Sequence, residues 1–222
     1  MNNDDKKNLP SQTEVPAQHT EKMLLERLQQ SSSPDEYFRW LLFVVGYYRG
    51  MDRLNAAKAL LQRFVGTAEN IQHKVHCFLA LGQIATDEKQ LETAIKHFGS
   101  ALELQPETSK VRYVLHNNLG YCLNALTRYP EGERHCRKAL EIDWSRASAY
   151  RNLGVSFMGQ SNLLGAAWAL AEAVRAEPAD ERARVILKKL LMENPGMATR
   201  CAWAVDALDT NAALLAVSDS TM

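Results

Sequence analysis

The dipeptide Leu-Gly recurs at Leu81-Gly82, Leu119-Gly120 and Leu153-Gly154, 38 and then 34 residues apart, and other residues follow it at fixed offsets. Counting on from Leu81 gives Ala94, Phe98, Ala101 and Pro106, and the same steps from Leu153 give Ala166, Leu170, Ala173 and Pro178. From Leu119 they give Gly132, Cys136, Ala139 and Trp144. A unit that returns at this interval is one supersecondary element stacked on copies of itself, because a single copy cannot bury its own apolar face. The residue types identify the element as a helical pair. Gly82, Gly120 and Gly154 on a first helix, with Ala94 and Ala166 on a second, let two backbones approach closely. Pro106 and Pro178 end the second helices "AIKHFGSALEL" and "AAWALAEAVRA", since proline lacks the amide donor and clashes with the preceding turn.

Over about residues 75 to 180 the pattern resembles the tetratricopeptide repeat, a helix-turn-helix unit of 34 residues. The resemblance implies an all-α fold: a short right-handed α-solenoid of three repeats with a C-terminal capping helix. The middle unit departs from the pattern with Gly132 for Ala and Trp144 for Pro, which predicts a looser second helix and a less sharply set exit. The wider first spacing places four additional residues before Leu119, close to one helical turn, so "SKVRYVLHNNLGYCLNAL" reads as one lengthened helix starting near Ser109.

The remaining chain arranges itself around this array. Residues 1–20 are polar and proline-containing and are expected to be disordered. Residues 21–66 hold N-terminal helices with a degenerate repeat. Ser33, Pro34 and Glu36 supply an N-cap, a first-turn proline and a capping-box acid, Gly50 and Gly66 are placed as helix ends, and Gly46 stands before Ala57 with one residue missing from the usual spacing. Tyr37, Trp40 and Phe43, at helical spacing, are expected in the core. Residues 67–180 carry the three repeats. Residues 181–194 form the capping helix, with Ala183, Ile186, Leu187, Leu190 and Leu191 on one face. Residues 195–222 read as a helical tail, partly disordered, whose Ala- and Leu-rich segments offer a surface for homo-oligomerisation.

Composition bounds the function. With 26 basic and 26 acidic side chains the net charge is zero, so no general field favours nucleic acid or anionic lipid. The longest apolar run, Trp40 to Tyr48, has nine residues, whereas about 20 are needed to cross a bilayer. The N-terminus has no apolar segment of the signal-peptide kind, and these readings together predict a cytoplasmic chain without membrane insertion. The four cysteines include no CxxC pair and are expected to be reduced and mostly buried. No Walker loop, GxGxxG or HExxH is present. His73, His76 and Cys77 could present three metal ligands on one helical face, but Cys77 falls on the packed side. Pairing Cys122 or Cys136 with His116 or His135 as a nucleophile is opposed by the core positions of both cysteines. No cofactor or catalytic residue is expected.

In the repeat family resembled here, positions one and two before the Leu, and two and five after it, face a concave groove. In this chain they are Asn117, Asn118, Tyr121 and Asn124 around Leu119, and Arg151, Asn152, Val155 and Met158 around Leu153. Around Leu81 they are Leu79, Ala80, Gln83 and Thr86, of which Gln83 is a candidate contact. Asn118 and Asn152, immediately before Leu-Gly, are similar to the asparagine ladder of O-linked N-acetylglucosamine transferases. An amide can donate and accept at once, so such side chains can hold a peptide backbone without reading its sequence. The carboxylate clamp of related co-chaperones needs several cations at these positions, and Arg151 is the only one. The resemblance implies a non-enzymatic scaffold or adaptor that binds a peptide or helix of another protein. The amides would serve the ligand backbone, Tyr121 would act as a stacking anchor and Arg151 as a carboxylate partner. An alternative is a dedicated chaperone, resembling the small repeat chaperones that hold secretion substrates in bacteria.

Overall fold

The structure, a computed structural model, describes residues 17–194 and 196–209. The described residues are helical with no strand among them, and no described helix is long and apolar enough to cross a membrane. The chain divides into two units, residues 1–66 and 67–222.

In the first unit, α1 (Ala17–Gln29) begins within the 1–20 segment, and α2 (Pro34–Gly50) and α3 (Leu54–Thr67) follow. The Ser33 hydroxyl accepts from the Glu36 amide at 3.2 Å, as an N-cap does. Glu36 reaches one residue further back than a capping box would, accepting from the Ser32 amide at 2.9 Å and its hydroxyl at 2.8 Å. Tyr37 and Phe38 stack on Phe64 of α3, with ring centroids 5.6 and 5.5 Å apart, while Phe43 is 55% exposed and is not a core residue.

Gly50 is the last residue of α2 and Gly66 the last but one of α3, but glycine is not what turns the chain after α2: the left-handed residue there is Asp52, φ 55°. Arg53 N then donates to Tyr48 O at 2.8 Å, closing a Schellman turn. Lys89, Thr127 and Ser161 are also left-handed, and the residue after each makes the same bond, Gln90 to Ala85, Arg128 to Leu123 and Asn162 to Phe157. Each of these side chains costs about 1 kcal/mol in that conformation, which the turn tolerates because the flanking helices dictate it. Counted from this turn, the residue equivalent to Gly82, Gly120 and Gly154 is Val45, 3% exposed, and not Gly46, whose absent Cβ would meet open space. No residue is missing from the spacing.

The second unit stacks α4 (Ile71–Asp87) on α5 (Leu91–Glu103), α6 (Ser109–Ala125) on α7 (Tyr129–Ile142), and α8 (Ala147–Gly159) on α9 (Leu163–Ala176). It is an α-solenoid. A Cβ at Gly82, Gly120 or Gly154 would run into Phe98, Cys136 or Leu170, the residue at the same offset in each repeat, so each glycine is the seat of its partner's side chain. The helix α6 has 17 residues against 13 in α8, its extra turn capped by Thr108, whose hydroxyl accepts from Val111 N at 3.3 Å.

The exit of α7 is not loose, although Trp144 replaces proline and is 75% exposed. Asp143 fastens the turn, accepting from Ser145 N at 3.1 Å and Oγ at 2.6 Å and pairing with Arg146 at 2.7 Å. α10 (Glu181–Glu193) closes the stack by burying Ala183, Leu187 and Leu190 against α9. Gly196, φ 86°, then turns the chain into α11 (Met197–Arg200) and a further helical stretch, 202–209. Met197, Cys201, Ala204, Ala207 and Leu208 join the same core. Residues 210–222, the rest of the tail to which self-association is ascribed, and residues 1–16 lie outside the described residues.

Candidate functional site

The first helix of each pair turns one flank away from its partner, and the flanks of α6, α8 and α10 together border a groove of about 600 Å³. Asn117, Asn118, Tyr121, Asn124, Arg151, Asn152 and Val155 line it, as do Ala125 of α6 and Glu181, Arg182, Val185 and Ile186 of α10. Val185 is 58% and Tyr121 43% exposed, so the apolar part of the lining faces solvent directly.

The polar residues divide into two kinds. Asn124 and Asn152, expected to meet a ligand, are 7% and 6% exposed and belong to a network joining α6 to α8. Asn124 Nδ2 donates to Asn152 O at 2.7 Å, and Asn124 Oδ1 accepts from Ser156 Oγ at 2.8 Å. Asn152 Nδ2 donates to Asn117 Oδ1 at 3.0 Å and Asn117 O at 3.3 Å. Ser156, fully buried, has one proton shared between Asn124 Oδ1 and Asn152 O, the latter 3.1 Å away. Buried amides must be paired in this way, since an orphaned one costs about 1–3 kcal/mol. Asn124 can turn inward because Gly132 faces it across the α6–α7 crossing. A Cβ at 132 would collide with Asn124 Oδ1, so the glycine at the alanine position seats a polar side chain.

Asn118 and Tyr121 are of the other kind. Neither side chain hydrogen-bonds any described residue, and the Asn117 amide nitrogen likewise keeps its donors for the groove. Arg151 does not wait for a ligand carboxylate: its guanidinium is ion-paired with Asp180, and the two side chains are 16% and 7% exposed. Asp180 also caps α10, its Oδ1 accepting from Arg182 N at 3.0 Å and Ala183 N at 3.4 Å.

Two sequence candidates fall outside the groove. Met158 is partly buried against the core shared by α8 and α9 and does not line the groove. Gln83 is on α4, and the groove is bounded by later helices. The sequence reading missed α10, which provides a third wall. The signal was Val185, an apolar residue on the face of the cap assigned to charges.

The chemical alternatives find other surroundings. Among the described residues no group of three or more His, Cys, Asp or Glu is placed to hold a metal ion. Cys77 and Cys136 are buried, which pushes each thiol up to about 12. His116 and His135 face each other, Nδ1 to Nδ1 at 3.0 Å, so one ring donates while the other accepts. Burial, with the neighbouring His135 and Lys138, holds His116 down to about 4, and burial lowers His135 as well.

Comparison with known proteins agrees with this architecture. Residues 75–108 match the tetratricopeptide repeat family. No curated protein sequence matches the chain. Among solved structures, BtubC from P. vanneervenii superposes with a TM-score of 0.71 at 13% identity, over 90% of this chain and 92% of that one. A double mutant of MamA gives 0.65 at 16% identity, over 82% and 97%. YrrB, described as a tetratricopeptide-repeat protein with an unusual peptide-binding site, gives 0.59 at 20% identity, over 78% and 84%.

Proposed function

We propose that this tetratricopeptide-repeat protein is a non-catalytic interaction module that holds a segment of another protein in the groove between α6, α8 and α10. One observation carries the reading: Asn118 and Tyr121 present unpartnered polar groups beside exposed apolar side chains in a concave site of about 600 Å³. Concave sites of mixed lining, mostly apolar with a few convergent polar groups, are where proteins take ligands. The peptide-binding site of YrrB, a protein of the same fold, supports it. The thiols held protonated by burial fit a role in binding and not in nucleophilic chemistry.

In this reading the residues have separate duties. Asn118, Asn117 and Tyr121 touch the ligand, with Val155, Val185 and Ile186 as the apolar surface. Asn124, Asn152, Ser156, Arg151 and Asp180 hold the three helices at their spacing. The test is affinity capture from the native host with wild type and with Asn118→Ala/Tyr121→Ala. Selective loss of one or a few retained proteins is expected. An identical retained set would remove the groove from the account. Insolubility of one cognate protein in cells lacking this chain would specialise the module as a dedicated chaperone.

A further inference from the structure

The groove makes no demand for a charged ligand. On α6 its lining is Asn117, Asn118, Tyr121, Asn124 and Ala125, with no ionisable cation or acid. The only cation it takes from α8, Arg151, is already paired with Asp180. On α10 the lining adds Glu181, which lies 3.9 Å from Arg184, and Arg182, a single exposed cation at the rim, so the floor of the groove holds no uncommitted charge. A site built for an acidic tail would keep several cations unpaired across its floor, and this one spends its central arginine on its own architecture.

The unpaired groups at the site are of another sort. The Asn118 carboxamide can donate and accept, and the Asn117 nitrogen can donate. A helical ligand has already consumed its backbone N–H and C=O groups internally, whereas an extended one offers them outward along its length. Val185 and Tyr121 are large, exposed and convergent, and a surface of this kind is relieved by an apolar side chain.

Resting on the groove reading above, we infer that the occupant is an extended, uncharged segment of a partner protein. An aliphatic or aromatic side chain of that segment sits against Tyr121, Val155, Val185 and Ile186, and Asn118 bonds the backbone beside it. The amides hold the chain without regard to sequence, and the apolar anchor supplies the selectivity. The floor gives a charged side chain nothing to pair with, so charge contributes little to the affinity.

The experiment uses the full chain and four unlabelled, acetylated and amidated heptapeptides of Ser and Thr, with Leu, Phe, Ser or Glu at the centre, titrated by calorimetry. The Leu and Phe probes are expected to bind at least about tenfold more tightly than the Ser and Glu probes. Their affinity should change by less than about twofold between roughly 50 and roughly 500 mM salt. Val185→Asp, at an exposed position that leaves the fold intact, should weaken both apolar probes about tenfold, and Asn118→Ala should weaken all four by a similar factor. Preference for the Glu probe with steep salt dependence overturns the inference and leaves the groove standing. So does the absence of binding by every probe while partner capture still requires Tyr121. So does binding that emerges only after residues 210–222 are deleted, which would identify the chain's own tail as occupant. Insensitivity of both probes and captured partners to the groove variants overturns the groove reading itself.

Discussion

The repeat formed by α4 and α5 and the one formed by α6 and α7 share a backbone and differ in what fills the crossing between their helices. In the first, Phe98 fills the space over Gly82, and Ala94 and Ala101 lie in the same apolar cluster. In the second, Gly132 and Cys136 stand at the Ala and Phe positions, and Asn124 turns into the space beside Gly132. Asn124 then bonds outward to Asn152 and Ser156 of the following repeat. The departure from the pattern is therefore an exchange: one repeat gives up apolar volume inside itself and gains a polar tie to its neighbour. The groove forms along that tie, because pairing the inward amides leaves Asn118 and Tyr121 as the ones facing out.

The largest expected effect separates the two crossings by packing. Phe98→Ala should cost about 3–5 kcal/mol in denaturant unfolding, and Cys136→Ala less than half of that, since the thiol fills less of its crossing. Equal losses would mean that the two crossings carry the same load. Next comes the exchange itself. Gly132→Ala alone should destabilise by about 1–3 kcal/mol through its collision with Asn124, and Asn124→Ala by about 1–3 kcal/mol through the groups it orphans. The double variant restores the apolar pattern and should cost clearly less than the sum of the two. Additive losses would break the link drawn between positions 124 and 132.

The smallest expected effect is pH-dependent and belongs to the α6–α7 crossing. An unfolded histidine takes its proton near about 6.5, while His116 in the folded chain, held down by burial, takes it at about 4. Between those values the unfolded state holds more protons, so stability is fully present above about pH 6.5 and is lost as the pH falls toward about 4. His135 acts in the same direction. Because His116 is only half-buried the loss should stay below about 1 kcal/mol. His116→Phe should flatten the unfolding midpoint between about pH 6.5 and about 4.5, and an unchanged slope would assign the acid sensitivity elsewhere.

The repeat was legible in the sequence because its signal is carried within one helical pair. A glycine facing a side chain at a fixed offset marks each crossing of the array, and proline marks two exits. The first unit hid its register: Gly46 resembles the repeat glycine, but the Schellman turn at Asp52 sets Val45 in that place. At the groove, residue positions were legible and side-chain duties were not. Whether Asn124 faces a ligand or the interior depends on Gly132 across the crossing and on a carbonyl 28 residues further along. Arg151 looks available until the α9–α10 turn brings Asp180 to it. Gly132 in the alanine position was the mark of an inward polar side chain.

The most direct test of the division between contact and architecture is to measure, for one captured partner, both affinity and unfolding stability in Asn118→Ala and in Asn124→Ala. Asn118→Ala is expected to weaken binding about tenfold with the unfolding midpoint unchanged, and Asn124→Ala to lower the midpoint. If Asn118→Ala instead lowered stability and left affinity intact, the groove would be a wall between repeats and the partner would bind elsewhere.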